Sequence, residues 1–552
     1  MATREQIWRA FQTLAVPVLL GLISRQIWPN RPEQTPKSLY LPLLADIDFI
    51  PRKPPATYSN NLPDFDTYEH VSVLPQIVPA GTPNVTAVIL NWSRFPNVVL
   101  IASLLCGPWL EGTISEVFIW NNSPRQITYE EMKNTGCSRS KLRIHNAPAN
   151  LLFQARFMAC AQANTPYCFI QDDDYLIHPE IIQSLQAHMS APDAPRVIHL
   201  LPPYEHLSTT LRETDVPSSH DWQVSNIRTS FAWLGYGTML HRSEAQAFLS
   251  LMRYLDAPPD DMKMADNFFT ILSNRVPVVW FDQGFELGGG QPFTVGSEGD
   301  EHNKKYMLRA TRYLESLARC GRASCDRFDP HGSGQQSRSK LPYITLDRSH
   351  PQKPWIRAAC RMAACVLETN IRILPDDTSH RATNISDMLS VEIENVRKLS
   401  DAGKQNYLDH PPSNAVDAKT STVFRSLNGG RKGDKITLDV LVDINEARQW
   451  TAVELVLLVD SATEVILNSS LFGWSSDDVV WNVVPRRPTC YDTAHEAAVD
   501  GMQLPLRECS IQLSFGSSGL SNHAVTGRYF GVWLKEDRQE KWVISEVWLR
   551  GH

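Results

Sequence analysis

From residue 85 onward the apolar residues fall into short runs separated by turn residues. The run 85-VTAVILNW-92 is β-branched and almost wholly apolar, which predicts a strand covered on both faces. Next, 96-PNVVLIASLLCG-107 has helical length and period, with Pro96 at its start and Gly107 at its end. A second buried strand, 115-SEVFIWNN-122, ends in two asparagines. The segment 150-NLLFQARFMACAQA-163 predicts a helix. The strand 167-YCFIQ-171 then runs straight into Asp172, Asp173 and Asp174. The order β-α-β-(loop)-α-β predicts a largely parallel sheet with helices on both faces. A helix over 179–190, a strand over 196–202, an aromatic and Gly-containing segment over 229–242, a helix over 261–274 and a strand over 276–281 continue the pattern.

The texture then changes twice. Around 326–350 the chain is polar and rich in Gly, Ser, Gln and Pro, as in a linker, and 351–405 reads as mainly helical. From about 410, strand-like runs recur at 435–442, 451–459, 464–472, 478–484, 509–515, 528–534 and 541–549. Seven short strands with turn residues between them predict an all-β sandwich. The expected division is therefore an α/β domain over 84–325, a linker and helical segment over 326–409, and a sandwich over 410–552.

The amino terminus adds two further segments. Arg4 and Arg9 precede 14-LAVPVLLGLI-23, an apolar run short of the roughly 20 residues of a bilayer span. Residues 1–28 read first as a signal anchor, which would place the rest of the chain in the lumen of the endoplasmic reticulum or Golgi in type II orientation. A cleaved signal and an amphipathic surface start are the alternatives. Residues 29–83, rich in proline, read as a stem or an irregular wrap.

Charge narrows the function. The net charge is −7 and no long Lys/Arg block occurs, which argues against a nucleic-acid partner. The ten cysteines suit lumenal disulfides, with Cys320/Cys325, Cys360/Cys365 and Cys490/Cys509 as candidate pairs; none has a His at zinc-finger spacing. Asn84, Asn91, Asn384 and Asn468 head glycosylation sequons, and a glycan on Asn91 would meet the end of a strand.

Three adjacent aspartates repel one another, so their place needs a reason. An isolated Asp triplet is most simply a solvated turn or a helix cap. At the end of a central parallel strand it lies on the edge where ligands bind. The residues from Asn91 to Arg94, Asn121 with Asn122, and Asp172 to Asp174 would converge there. Carboxylates so placed suit Mg²⁺ or Mn²⁺, hard cations that bridge to phosphate oxygens. The Gly-rich 283-QGFELGGGQPF-293 lacks a Gly-Lys-Ser/Thr ending and is no phosphate loop.

The ordered set VILNWSR, ISEVFIWNN, NLLFQARFMA and CFIQDDDYLIHP resembles the exostosin-like glycosyltransferases over residues 85–305. The resemblance implies a GT-A nucleotide-sugar-transferase fold, a mixed and mostly parallel sheet. It also implies a UDP-sugar donor, a Mn²⁺ or Mg²⁺ cofactor and a glycan or glycoprotein acceptor, and it leans to retention of configuration. On it, Arg94, Asn121 and Asn122 would hold the uridine. Asn150 and Arg156 would approach the base or diphosphate, Asp172 the ribose or nucleotide, and Asp174 the metal with Asp173 assisting. The family's Glu-Asp pair before Asn-Phe is replaced here by Asp260, Asp261 and Asp266 in 260-DDMKMADNFF-269, so the catalytic carboxylate is left between them, with Asp266 ahead of Asp261. Asp266 would orient or deprotonate the acceptor hydroxyl. Trp233, Gly235 and Tyr236 would line an acceptor pocket, or simply pack in the core. His302 would be a late ligand, or more simply a surface residue.

The stretch 414-NAVDAKTSTVFRS-426, with 528-RYFGVWLKED-537 and 543-VISEVWL-549, resembles a discoidin-like (coagulation-factor C-type) domain over 410–552, with Ala418 for the usual Gly and Phe424 for the usual Trp. Such domains bind glycans or other ligands through loops at one end of a jelly roll. Two functions remain open: a sugar transferase, and a glycan-binding protein on the same fold without catalysis. A nucleotidyltransferase would need a Gly-rich loop after the first strand, and 91-NWSRFPN-97 is not one.

Overall fold

The computed structural model describes residues 82–551, apart from 192–193, 211–213, 217–226, 283, 289–296, 320–354, 362, 374–399, 442–451 and 515–526. The expected anchor, stem and most of the linker lie outside the described residues, as do Cys320 and Cys325. Among the described residues no helix is long and apolar enough to cross a membrane.

The first strand, Val85–Asn91, sits between two parallel neighbours, Ile114–Asn121 and Tyr167–Gln171. Its alternate residues reach opposite sides of the sheet. Val88 joins Phe118, Trp120 and Ile170 in one apolar layer; Val85, Ala87 and Ile89 join Val117, Ile119 and Phe169 in the other. Both layers are covered by helices, which is why the sequence reads as a continuous apolar run. Helix Phe95–Leu105 covers one side and Gln154–Ala161 the other.

Chain order fixes the crevice. From the first strand the chain steps outward to Ile114–Asn121 and then to Leu142–Asn146, an edge strand within the expected loop. It then returns to lay Tyr167–Gln171 on the opposite side of the first strand. The direction of travel therefore reverses between Val85–Asn91 and Tyr167–Gln171. At such a switch point the connections leave in opposite directions and open a crevice at the carboxyl ends. Beyond it, Thr238–His241 runs antiparallel to Tyr167–Gln171 and to Val197–Leu201, which pairs parallel with Val278–Phe281. The helix expected over 261–274 is two short ones, Pro259–Lys263 and Asp266–Leu272.

Of the segment read as mainly helical, 374–399 lies outside the described residues; the described part holds a hairpin and the start of helix Asp401–Asp409. Ile356–Ala359 and Val366–Thr369 pair antiparallel, with Cys360–Cys365 closing the bend. Ile356–Ala359 also pairs parallel with Val278–Phe281, and Val366–Thr369 pairs with Lys435–Asp439 of the carboxyl-terminal half. One thirteen-stranded sheet thus runs through both halves. The short, mostly buried hairpin lacks a long periodic pattern, so composition hid it.

The carboxyl-terminal half is an all-β sandwich. Its second sheet has five strands, in the order Phe424–Gly429, Lys541–Gly551, Ala452–Val459, Met502–Ser514, Thr489–Val499. The facing sheet is the end of the long one, where Asn482–Val484, Ser470–Ser475, Tyr529–Leu534 and Lys435–Asp439 lie side by side. Val453, Leu455, Leu457, Ile511, Leu513, Phe472, Phe530 and Val532 fill the space between. The expected strand over 464–472 is helix Ser461–Asn468 followed by strand Ser470–Ser475, because Asp460 caps the helix by accepting from the Thr463 N–H at 2.8 Å.

Disulfides join Cys106 to Cys137, Cys160 to Cys168, Cys360 to Cys365 and Cys490 to Cys509. The last two are the pairs expected from spacing. The first two join residues that only the folded sheet brings together.

Candidate active site

Arg94 follows the first strand, and Asp172, Asp173 and Asp174 follow its neighbour across the switch point. The Arg94 guanidinium donates to Asp173 Oδ1 at 3.0 Å and to Asp174 Oδ2 at 3.2 Å. A second guanidinium lies deeper. Arg156 is 1% exposed and bridges Asp172, at 2.6 Å to Oδ2, and the fully buried Asp266. The order is therefore Asp266, Arg156, Asp172, then Asp173 and Asp174 against Arg94.

Local structure explains how Arg156 reaches its place. Asn150 Oδ1 accepts from Leu152 N–H at 2.8 Å, and Leu152 adopts a left-handed φ of 48°. Asn122 clamps the same turn from the sheet: its Oδ1 accepts from Leu151 N–H, and its amide donates to Leu152 O, both at 3.2 Å. The turn launches helix Gln154–Ala161, whose first residues carry Arg156 over the Phe153 ring at 4.9 Å.

Asn121 belongs to a ladder across three strand ends. Asn91 donates to Asn121 Oδ1 at 2.7 Å, and Asn121 donates to Asn146 Oδ1 at 2.8 Å and to Arg125 O at 2.6 Å. Ser123 N–H also donates to Asn121 Oδ1. Both lone pairs and both hydrogens of the amide are thus committed. This corrects the expectation that Asn121 and Asn122 hold uridine: they hold the loops that shape the crevice. Asn150 keeps its amide hydrogens but spends its oxygen on the turn. Asn146 was not singled out from sequence, and Asn91 only as part of the Asn91-to-Arg94 strand end and as a sequon. The repeated Asn at three strand ends was the available signal, and only strand register shows that they align.

The two candidate catalytic carboxylates are both taken. Asp261 is 0% exposed, accepts from Tyr313 Oη at 3.0 Å and pairs with Arg309, both on helix Ser297–Arg319. It faces that helix and not the crevice. Asp266 is sealed behind Arg156. It can act on a bound molecule only through Arg156 and Asp172, which makes it a positioning residue. Asp260, by contrast, is exposed. His302 is an exposed residue whose ring packs on Tyr306 at 4.8 Å.

Among the described residues, charge in the crevice does not balance: Asp172, Asp173, Asp174 and Asp266 face two guanidiniums, Arg94 and Arg156. Burial and the neighbouring Asp172 charge push the Asp174 carboxyl up to about 7, against the pull of Arg94. Burial pushes Asp266 up to about 7, against Arg156. Asp173 is raised by burial and Asp172 as well. Burial opposes the charge on Arg156, but Asp172 and Asp266 outweigh it and raise its pKa. The site thus keeps its guanidinium ionised while some carboxylate charge is left uncompensated. Among the described residues no three His, Cys, Asp or Glu side chains form a closed metal cage.

The crevice has an aromatic wall. The Tyr175 and Tyr204 hydroxyls meet at 3.0 Å, Tyr175 packs edge-on against Tyr236 at 4.8 Å, and Tyr236 Oη donates to Glu205 at 3.0 Å. Tyr204 is 50% exposed. Strand pair Tyr175–Leu176 and Phe285–Glu286 closes over the same side, with Leu287 N–H donating to Asp174 O at 2.8 Å. Trp233 packs edge-on against Phe231 at 4.6 Å, as a packing residue would.

Gly235 is where backbone and charge meet. Its carbonyl accepts from Asp172 N–H at 2.9 Å, and a Cβ on it would lie 2.2 Å from Asp172 Oδ2 and 3.4 Å from Arg156 Nη2. Gly235→Ala should therefore displace the Asp172 carboxylate from Arg156 and cost about 1–3 kcal/mol. Thermal unfolding measures the loss; an unchanged midpoint would show that the pair moves freely.

No family model matches the chain, and no curated protein sequence matches it. Solved structures give low similarities. S. aureus TarS 1–349 in complex with UDP is 15% identical, at a TM-score of 0.26, over 44% of this chain and 69% of that one. The mannosyltransferase PcManGT from Pyrobaculum calidifontis in complex with GDP-Man and Mn²⁺ is 12% identical, at 0.26, over 45% and 79%. CBM32-1 from a family 31 glycoside hydrolase of Clostridium perfringens is 19% identical, at 0.16, over 26% and 83%.

Proposed function

We propose that the chain is a metal-dependent glycosyltransferase that uses a nucleoside-diphosphate sugar, UDP-linked on the sequence resemblance. The observation that carries this is the surplus of carboxylates over guanidiniums at the switch point of a parallel sheet. A divalent cation there would restore the balance, and the diphosphate would complete its coordination. Asp174, with Asp173 beside it, would hold Mn²⁺ or Mg²⁺. The cation would supply charge neutralisation for the departing diphosphate.

The chain's own residues would do the rest. Arg94, whose planar fork suits phosphate oxygens, would be available to the diphosphate where Asp173 and Asp174 hold the metal. Arg156 holds Asp172 in one orientation, and Asp266 holds Arg156. The tyrosine wall would pack against the acceptor sugar, and Glu205, half-buried at the Tyr236 hydroxyl, would accept a hydrogen bond from an acceptor hydroxyl. Four disulfides support an oxidising compartment, in keeping with a lumenal setting behind an amino-terminal anchor.

A panel of nucleotide sugars, incubated with the chain with and without Mn²⁺, tests the reading. Hydrolysis or transfer of one donor that requires Mn²⁺ supports it. Metal-independent UDP binding without turnover would favour the non-catalytic glycan-binding alternative. One feature favours that alternative: Arg94 already spans Asp173 and Asp174 where a cation would sit.

The raised carboxyls set a pH signature. A carboxyl whose folded-state pKa is raised contributes stability below its unfolded value near 4 and loses it as pH rises through about 7. Without divalent cations the thermal midpoint should therefore fall between about pH 5 and 8. Cations bind the deprotonated form, so the midpoint shift given by Mn²⁺ should grow over the same window. A Mn²⁺ shift that is flat or shrinks from pH 5 to 8 would contradict the assignment.

A further inference from the structure

The five-stranded sheet of the sandwich carries a cleft on its outer face, away from the crevice of the α/β half. Its volume is about 670 Å³, within the range of about 300–1,000 Å³ typical of small-ligand sites. Strand register builds its floor. Glu454 lies opposite Gln512 on one side and Arg550 on the other; Ser510 lies opposite Thr489; and Glu508 lies opposite Tyr491. All are polar or amphipathic positions of strands whose alternate residues fill the sandwich core.

The floor is ordered by its own hydrogen bonds. Arg550 donates to Glu454 Oε2 at 3.1 Å and to Glu508 Oε1 at 2.5 Å, and Ser510 Oγ donates to Glu454 Oε1 at 2.6 Å. Glu508 is 3% exposed. The rim is a strap, 485-PRRP-488, where the chain crosses from Asn482–Val484 in one sheet to Thr489–Val499 in the other. Two prolines stiffen it, and Arg487, just before Pro488, is biased toward extended backbone. Arg486 and Arg487 both line the cleft, and neither has an acidic partner among the described residues. Tyr491, 58% exposed, stands beside them.

We propose that this cleft binds an acidic saccharide. The unpaired guanidinium forks match the carboxylate or sulfate of a charged sugar. The exposed tyrosine offers a flat apolar face to a sugar ring, with a hydroxyl at its tip. The floor decides the class of anion. The carboxylates of Glu454 and Glu508, with that of the exposed Asp492 beside Tyr491, repel a dense polyanion such as a nucleic acid, and Asp492 can accept from hydroxyl groups. A ligand with sparse negative charge and many hydroxyls satisfies both rim and floor. The site lies on the sheet face and not in the loops at the end of the sandwich, where the discoidin-like resemblance points.

Titration calorimetry on the full chain tests this with four probes: hexamannuronate, its uncharged counterpart mannohexaose, inorganic phosphate, and a single-stranded oligonucleotide. Hexamannuronate should bind at least about ten-fold more tightly than any of the others. The double variant Arg486→Ala/Arg487→Ala should lose about ten-fold or more of that affinity, and Tyr491→Ala should weaken it as well. Both arginines are exposed, so the double variant should keep the parent's thermal midpoint; Arg486→Lys/Arg487→Lys, which keeps charge but not the fork, should lose less. Affinity for UDP in Mn²⁺ reads the other site and should not move in any of these variants. Equal binding of mannohexaose, tighter binding of the oligonucleotide or phosphate, full affinity in the double alanine variant, or no binding of hexamannuronate would each overturn the proposal.

Discussion

Arg156→Ala should destabilise the protein by about 3–5 kcal/mol, the largest stability loss expected at the site. The guanidinium is the cation between the half-buried Asp172 and the fully buried Asp266, and without it the Asp266 carboxylate is left unpaired in the interior. Asp266 must then bind a proton or unfold its surroundings. Arg156→Lys should recover only part of the loss, because one ammonium cannot hold the two carboxylates as a planar fork does. The double variant Arg156→Ala/Asp266→Asn should be more stable than Arg156→Ala alone, since it removes the orphaned charge. Chemical denaturation of the three variants measures these differences. If Arg156→Ala were near neutral, the network would be solvated, and its role in orienting Asp172 would fall with it.

Asp174→Ala should do the opposite: spare the fold and abolish the chemistry. Burial and the Asp172 charge already disfavour the Asp174 carboxylate, and its partner Arg94 keeps Asp173. Removing it relieves repulsion, so the thermal midpoint in chelator should hold or rise. Turnover of a nucleotide sugar should fall by about 100-fold or more, because the cation would lose its main protein ligand. Asp173→Ala should cost less activity. Steady-state turnover with Mn²⁺, beside thermal unfolding in chelator, separates the two effects. A variant that loses stability and activity together would make Asp174 a structural residue.

The two arginines and the aspartates lie in one crevice for reasons largely visible in the sequence. Apolar runs of strand length followed by Asn-Trp-Ser-Arg and by three aspartates place those groups at strand ends, and the parallel order places the ends on one edge. Pairing was not visible. Arg156 reaches Asp172 and Asp266 across separations of 16 and 110 residues, set by how two helices pack and not by any local pattern. Asp261 reads as a site residue because it is acidic and near Asn267-Phe268, but the partner that claims it, Arg309, sits on a helix 48 residues away. Asn121 and Asn122 read as ligand contacts because exposed strand ends in these sheets bind ligands. Register turns them instead into ladder and clamp. The hairpin that joins the two halves was hidden for a related reason: each of its strands has four residues, too few for periodicity to show.

On the proposed function, the crevice at the switch point binds a nucleoside diphosphate through a divalent cation held at Asp174. Titration of UDP into the protein at pH 7.5, in Mn²⁺ and in chelator, with the parent chain and with Asp174→Ala, tests it most directly. UDP should bind the parent, weaken at least about ten-fold in chelator, and show no such dependence on Mn²⁺ in the variant. Equal UDP affinity with and without Mn²⁺, or an undiminished Mn²⁺ dependence in Asp174→Ala, would contradict it.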